Sequence, residues 1–274
     1  MSRFAKLETQ SGVTPDNTPS DTPLMPDAAS YGQEPLTYDA VMRKADASFY
    51  SGDFRRALQY YSQALQEDAS RPDPWIAQVL ALIFLGEMRE ADVWSARGAE
   101  RFPTHPGVLS FRGLTLTLQG MTSRGIGTSD FALSQGAPDA ICWFARGWIL
   151  LEADNANWKM CFDKAQGAIA PQEWRLTAQM GLALERYRKW VPAIEAYGKC
   201  ATANPDNPFL WHHLGICQRQ MGFINQAIES QRHALTLKPS WGAAEKELIR
   251  LTSRPLEGLI TKGVQWIKGL VVKR

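Results

Sequence analysis

An internal period of 34 residues constrains this chain more than any single motif. Counting back from Gly215 in that step meets Gly181, Gly147, Gly113, Val79 and Ala45. From Ala227 the series runs Ala193, Lys159, Gly125, Ala91 and Ala57. From Pro239 it runs Pro205, Pro171, Ala137 (followed by Pro138), Pro103 and Ala69. From Trp211 it includes Trp143 and Trp75, and a glycine recurs at 52, 86, 120 and 222. A fixed period of this size marks a stack of like units, each too small to bury its own apolar face alone.

Six frames fit residues 37–241 with no net insertion: 38–71, 72–105, 106–139, 140–173, 174–207 and 208–241. Each reads as two amphipathic helices around a short turn. Small residues such as Gly215, Ala227 and Ala234 let paired helices approach, Trp211 and Leu214 fill the space between units, and Pro239 stops the second helix. Two frames depart from the pattern. In the fourth, Lys159 and Gln166 stand where small residues belong, and a one-residue slip would put Trp158, Phe162 and Ala165 there instead. In the third, Gly125 and Gly127 either weaken the second helix or permit tight packing.

The best copies, "WHHLGICQRQMGFINQAIESQRHALTLKP" (211–239) and "ADASFYSGDFRRALQYYSQALQEDA" (45–69), carry a W…LG…A…A…P pattern. This pattern resembles the tetratricopeptide repeat (TPR) family. The resemblance implies an all-α fold, a right-handed superhelical solenoid of antiparallel helix pairs with a concave inner face. It also implies which first-helix positions line that face. Repeats 2–4 then offer Ile76, Leu80, Ile83, Phe84, Phe111, Leu114, Leu118, Phe144, Trp148 and Leu151; repeats 5 and 6 offer Arg175, Arg186, His212, His213 and Arg219. The expected site is thus an apolar groove that turns basic toward its C-terminal end. It suits a protein or peptide segment with apolar anchors and an acidic flank. It is unlike the Lys/Asn/Lys/Arg clamp of TPR domains that grip chaperone carboxyl tails, because Leu80, Leu114 and Trp148 stand where polar residues would be needed.

The ends differ from the middle. Residues 1–36 hold five prolines and carry two basic against five acidic side chains, net −3. That composition reads as a disordered or extended leader. Its "TPLMPD" (22–27) is one candidate to lie in the groove. Residues 242–254 read as a capping helix. Residues 255–274, net +3, read as a basic amphipathic helix: Leu256, Leu259, Ile260, Val264, Ile267, Leu270 and Val271 share a stripe, with Lys262, Gln265 and Lys268 opposite and Trp266 at its edge. Such a helix suits packing on the solenoid, a membrane surface, or a partner. Its three glycines make it a poor helix in isolation.

No run of 18 apolar residues suggests a membrane span, and no apolar h-region opens the chain. A cytoplasmic protein is expected, with peripheral membrane association as the alternative. The net charge of +2 argues against nucleic acid as a partner. No GxxxxGK[ST], HExxH or GxSxG motif is present, so no catalytic residue or cofactor is expected. His213 and Cys217 have the spacing of two zinc ligands on one helix face, but no further ligands are spaced to join them, and no metal is expected. The sequence therefore points to a non-enzymatic adaptor, scaffold or holding chaperone. The alternatives are a membrane-associated assembly factor held by residues 255–274 and, less favoured, a helical-repeat RNA binder. Self-association through the groove or the solenoid ends also fits.

Overall fold

The computed structural model describes residues 37–170 and 173–253. Thirteen helices run through them. They pair as α1 (Tyr38–Phe49) with α2 (Phe54–Glu67), α3 (Asp73–Leu85) with α4 (Met88–Arg101), and α5 (Pro106–Leu118) with α6 (Thr122–Ser134). The series continues with α7 (Ala140–Glu152) and α8 (Trp158–Gly167), α9 (Arg175–Arg186) and α10 (Trp190–Ala203), and α11 (Pro208–Gln220) and α12 (Ile224–Leu237). The last helix, α13 (Gly242–Thr252), packs against α12 and α11.

The 34-residue period is written into backbone geometry as well as residue type. Positive φ recurs at Gly52, Gly86, Gly120, Asp154, Arg188 and Gly222, one position per turn between paired helices. Glycine takes that conformation without steric cost. Hydrogen bonds repeat likewise. The indole of Trp75 donates to the carbonyl of Ala69 at 3.1 Å, and that of Trp211 donates to Pro205 at 2.7 Å. Arg112 donates to the carbonyl of Asp92 at 3.2 Å, and Arg146 donates to that of Ile126 at 3.2 Å. Each arginine ties the first helix of its repeat to the second helix of the repeat before. Arg112 adds an ion pair to Asp92 and Arg146 one to Asp130.

The slip in repeat 4 is present. Trp158, Phe162 and Ala165 are buried, while Lys159 and Asp163 are exposed. Helix α8 begins two residues later than the period would place it and is shorter than the other second helices. Trp158 thus stands where other repeats put a small residue, and Phe162 covers Gly147 as Tyr197 covers Gly181: a Cβ on Gly147 would lie 2.3 Å from the Phe162 ring. In repeat 3 the two glycines divide the two readings. Gly125 packs against α5, where a Cβ would lie 2.5 Å from the carbonyl oxygen of Gly113. Gly127 has nothing near it and only lowers helix propensity.

Candidate interaction surface

Among the described residues, the inner face of the solenoid through repeats 2–4 is buried. Leu80, Ile83, Phe111, Leu114, Phe144, Trp148 and Leu151 are all buried, and Ile76, Phe84 and Leu118 are half-buried against the same core. The expectation of an open apolar groove through repeats 2–4 is therefore corrected: these side chains are core. The physical reason lies in repeat 1. The superhelix curves until the turn between α1 and α2 meets repeats 5 and 6.

Tyr50 makes that junction. Its ring sits edge-on to Trp174 at 4.9 Å, and its hydroxyl accepts a hydrogen bond from Gln179 at 2.6 Å. Its carbonyl accepts one from the Asn207 side chain at 3.0 Å. Gly52 presses on the ring of Phe209, where a Cβ would lie 3.1 Å from the ring, and Phe54 meets the same ring edge-on. Phe54 stacks on Phe84 at 5.4 Å, and Phe84 in turn packs on Trp148 at 5.4 Å. An aromatic chain thus crosses from repeat 1 through repeats 2 and 4, filling what an incoming segment would occupy. The Trp148 indole donates to the Tyr187 hydroxyl at 3.2 Å, and that hydroxyl donates to Glu152.

The basic end is compensated from within. Arg219 pairs with the buried Glu247, which also binds Arg250 at 2.8 Å. Arg175 is exposed and lies 3.5 Å from Glu173; Arg186 is exposed. His213 Nδ1 lies 2.7 Å from Glu185, which also accepts from the Tyr197 hydroxyl at 3.0 Å. Burial works to raise the Glu185 carboxyl, but His213 and these hydrogen bonds outweigh it and hold the group below its ordinary value. His212 is buried, with Nδ1 2.8 Å from the Gln231 side-chain oxygen. Burial, with His213 beside it, pushes its pKa down. His213 thus faces a carboxylate across the repeat seam, while Cys217 is fully buried. Burial pushes the Cys142 and Cys200 thiols to about 12, so neither is a thiolate near neutrality. Among the described residues no three His, Cys, Asp or Glu side chains converge on a metal position, and no helix is long and apolar enough to cross a membrane. The leader and Leu259, Ile260, Lys262, Trp266, Ile267, Lys268 and Leu270 lie outside the described residues.

An open cleft of about 380 Å³ lies on the outer side of repeats 4 and 5, between α8, α9 and α10. Its floor is apolar: Phe162, Met180, Leu184 and Ala196, with Val191 and Pro192 at one side. Lys159, Asp163, Glu195 and Lys199 stand around it, and Val191 is 51% exposed. Thr177 donates to Gln166 at 2.9 Å, tying α9 to α8. The slip in α8 shapes this site, because it turns Lys159 and Asp163 outward and leaves α8 only lightly packed on α9. Sequence reasoning found the slip but not the cleft, since no residue type signals a gap between two helices.

The tetratricopeptide repeat family model matches residues 210–240. No curated protein matches the sequence. Solved structures that resemble the fold include a chain of the Cut9–Hcn1 heterotetramer of the APC/C, at 14% identity and a TM-score of 0.48, covering 80% of this chain and 44% of that one. YrrB, described as a TPR protein with an unusual peptide-binding site, aligns at 15% identity and a TM-score of 0.40, over 68% of this chain and 96% of that one. PilW, a type IV pilus biogenesis factor, aligns at 13% identity and a TM-score of 0.48, over 78% of this chain and all of that one. The family's pattern thus lies on the sixth helix pair, and a like helix pair is repeated five times before it with one left-handed turn residue every 34 positions.

Proposed function

We propose that the protein is a non-enzymatic interaction module, an adaptor or scaffold, that takes a partner segment in the cleft between α8, α9 and α10. One observation carries the reading: the concave face is filled by the chain's own aromatic side chains, while this cleft holds the exposed side chain of Val191 at its side, above a buried apolar floor. Binding energy would come from an apolar anchor set against Val191 and Pro192 at the side of the cleft. Orientation would come from the ring of two lysines and two acids, which favours a segment with flanking charges of both signs. The volume suits a pair of side chains rather than a whole helix, at the small end of ordinary ligand sites.

Peptides selected from a random display library against the full chain test it. The Val191→Glu variant, altered at an exposed position, is expected to bind the selected peptides about tenfold or more weakly, the ~1.4 kcal/mol lost when an apolar anchor meets a charge. Its circular-dichroism spectrum stays unchanged. Equal binding by both forms rejects the cleft.

A further inference from the structure

The repeat register makes α13 something other than a closing cap. Consider the residue of each first helix that faces its own second helix. In the six repeats it is Ala45, Val79, Gly113, Gly147, Gly181 and Gly215, and all six are buried. The four glycines show what covers them: a Cβ would meet the Gly125 carbonyl oxygen, the Phe162 ring, the Tyr197 ring and the Gln231 side chain respectively, each on the second helix of the same repeat. The next residue in this series is Ile249, and it is 62% exposed. A second series agrees. Ser48, Leu82, Leu116, Leu150, Leu184 and Gln218 are buried, and the residue 34 beyond Gln218, Thr252, is exposed. The rest of α13 is seated: Ala244, Glu247 and Leu251 are buried. So α13 is the first helix of a seventh repeat, docked on the sixth, with the face for its own second helix bare.

Twenty-one residues follow Ser253, and their apolar stripe matches that bare face in one register only. The period places a seventh second helix near residue 258, since α12 begins at Ile224. In the regular register Thr261, Gln265 and Lys268 would face α13, two of them poor partners for an isoleucine. In the register of α8, displaced by one residue, the equivalents of Trp158, Phe162 and Ala165 are Ile260, Val264 and Ile267. Those are three members of the stripe. Lys262 and Gln265 then take the places of Met160 and Asp163, both exposed in α8.

We infer that residues 258–271 form the second helix of a seventh repeat, folded back on α13 with Val264 against Ile249. The pair is the counterpart, three periods on, of Phe162 against Gly147. The glycines at 258, 263 and 269 make this segment unable to hold a helix alone, so it is ordered by its seat. Lys262 and Trp266 then fall on its outward face.

Disulfide trapping in the full chain tests the seat, and the four native cysteines are buried and stay out of the reaction. The Ile249→Cys, Val264→Cys pair is expected to close within one chain about tenfold or more faster than an Ile249→Cys, Lys262→Cys control, because a docked neighbour has a far higher effective concentration than an outward-facing one. Equal rates overturn the inference. So do crosslinks mainly between chains, which would assign the face to a second copy. So does co-sedimentation of the chain with phosphatidylserine vesicles that abolishes closure. A second measurement needs no cysteine. Ile249→Glu should speed tryptic cleavage after Lys262 by about tenfold, as lost docking raises the open population, while the helix signal of the remaining chain persists. Unchanged cleavage overturns the proposal as well.

Discussion

At Asp154 and Arg188 the backbone does what it does at Gly52, Gly86, Gly120 and Gly222, without glycine's freedom. Their φ values are 49° and 55°. A left-handed conformation costs an ordinary residue about 1–2 kcal/mol. Placing glycine there instead costs about 0.4–1 kcal/mol through the unfolded chain. The first effect is larger, so Arg188→Gly should stabilise the protein by roughly 0.5–1 kcal/mol, read as a higher urea midpoint at unchanged slope. Asp154→Gly should gain less, because aspartate tolerates this region better than arginine. A lower midpoint for Arg188→Gly would mean that its side chain holds contacts worth more than the strain. Four of the six turn positions were legible in the sequence because glycine marks them. The other two were not, because arginine says nothing about φ; only the period points to them. His213 shows the same limit. Its residue type suggested a groove or a ligand, while its role depends on Glu185, 28 residues away and across a repeat seam.

Helix α8 shows how one element can break a repeat and keep the fold. Its register is displaced and its rings are large, yet Gly147 of α7 takes the Phe162 ring as Gly181 takes the Tyr197 ring in an undisplaced repeat. Gly147→Ala should therefore cost about 1–3 kcal/mol, the range for forcing extra volume into a packed site. Gly127→Ala, with open space around it, serves as the comparison and should not destabilise. Thermal melts of the two variants decide, and an equal effect from both would deny the close fit of Phe162 to α7. This slip was readable in advance because amphipathic spacing is a local property. Trp158, Phe162 and Ala165 announce their face at helical intervals whatever the tertiary structure does. The cleft beside α8 was not readable, because it depends on how far two neighbouring helices stand apart.

Across the whole molecule, curvature decided what the residue pattern could not. Leu80, Leu114 and Trp148 read as a binding surface when repeats are taken one at a time. The small rotation between repeats accumulates until repeat 1 reaches repeats 5 and 6, and the surface becomes interior. An open solenoid unfolds in pieces, since each unit touches only its neighbours. Here the junction at Tyr50 couples distant repeats. Urea unfolding followed by tryptophan fluorescence and by circular dichroism should therefore trace one coincident transition. Tyr50→Ala, which removes a buried ring and its hydrogen bond to Gln179, should cost about 3 kcal/mol and separate the two traces. Separate traces in the unaltered chain would show that the repeats are energetically independent. The same junction matters during synthesis. Asn207 is made 157 residues after Tyr50, a delay of ~8–30 s at bacterial-to-eukaryotic elongation rates. Through that interval Tyr50 and Phe54 leave the ribosome with Trp174, Asn207 and Phe209 still to be made. The nascent chain presents an aromatic cluster to the cell for seconds before its own last repeats arrive to cover it.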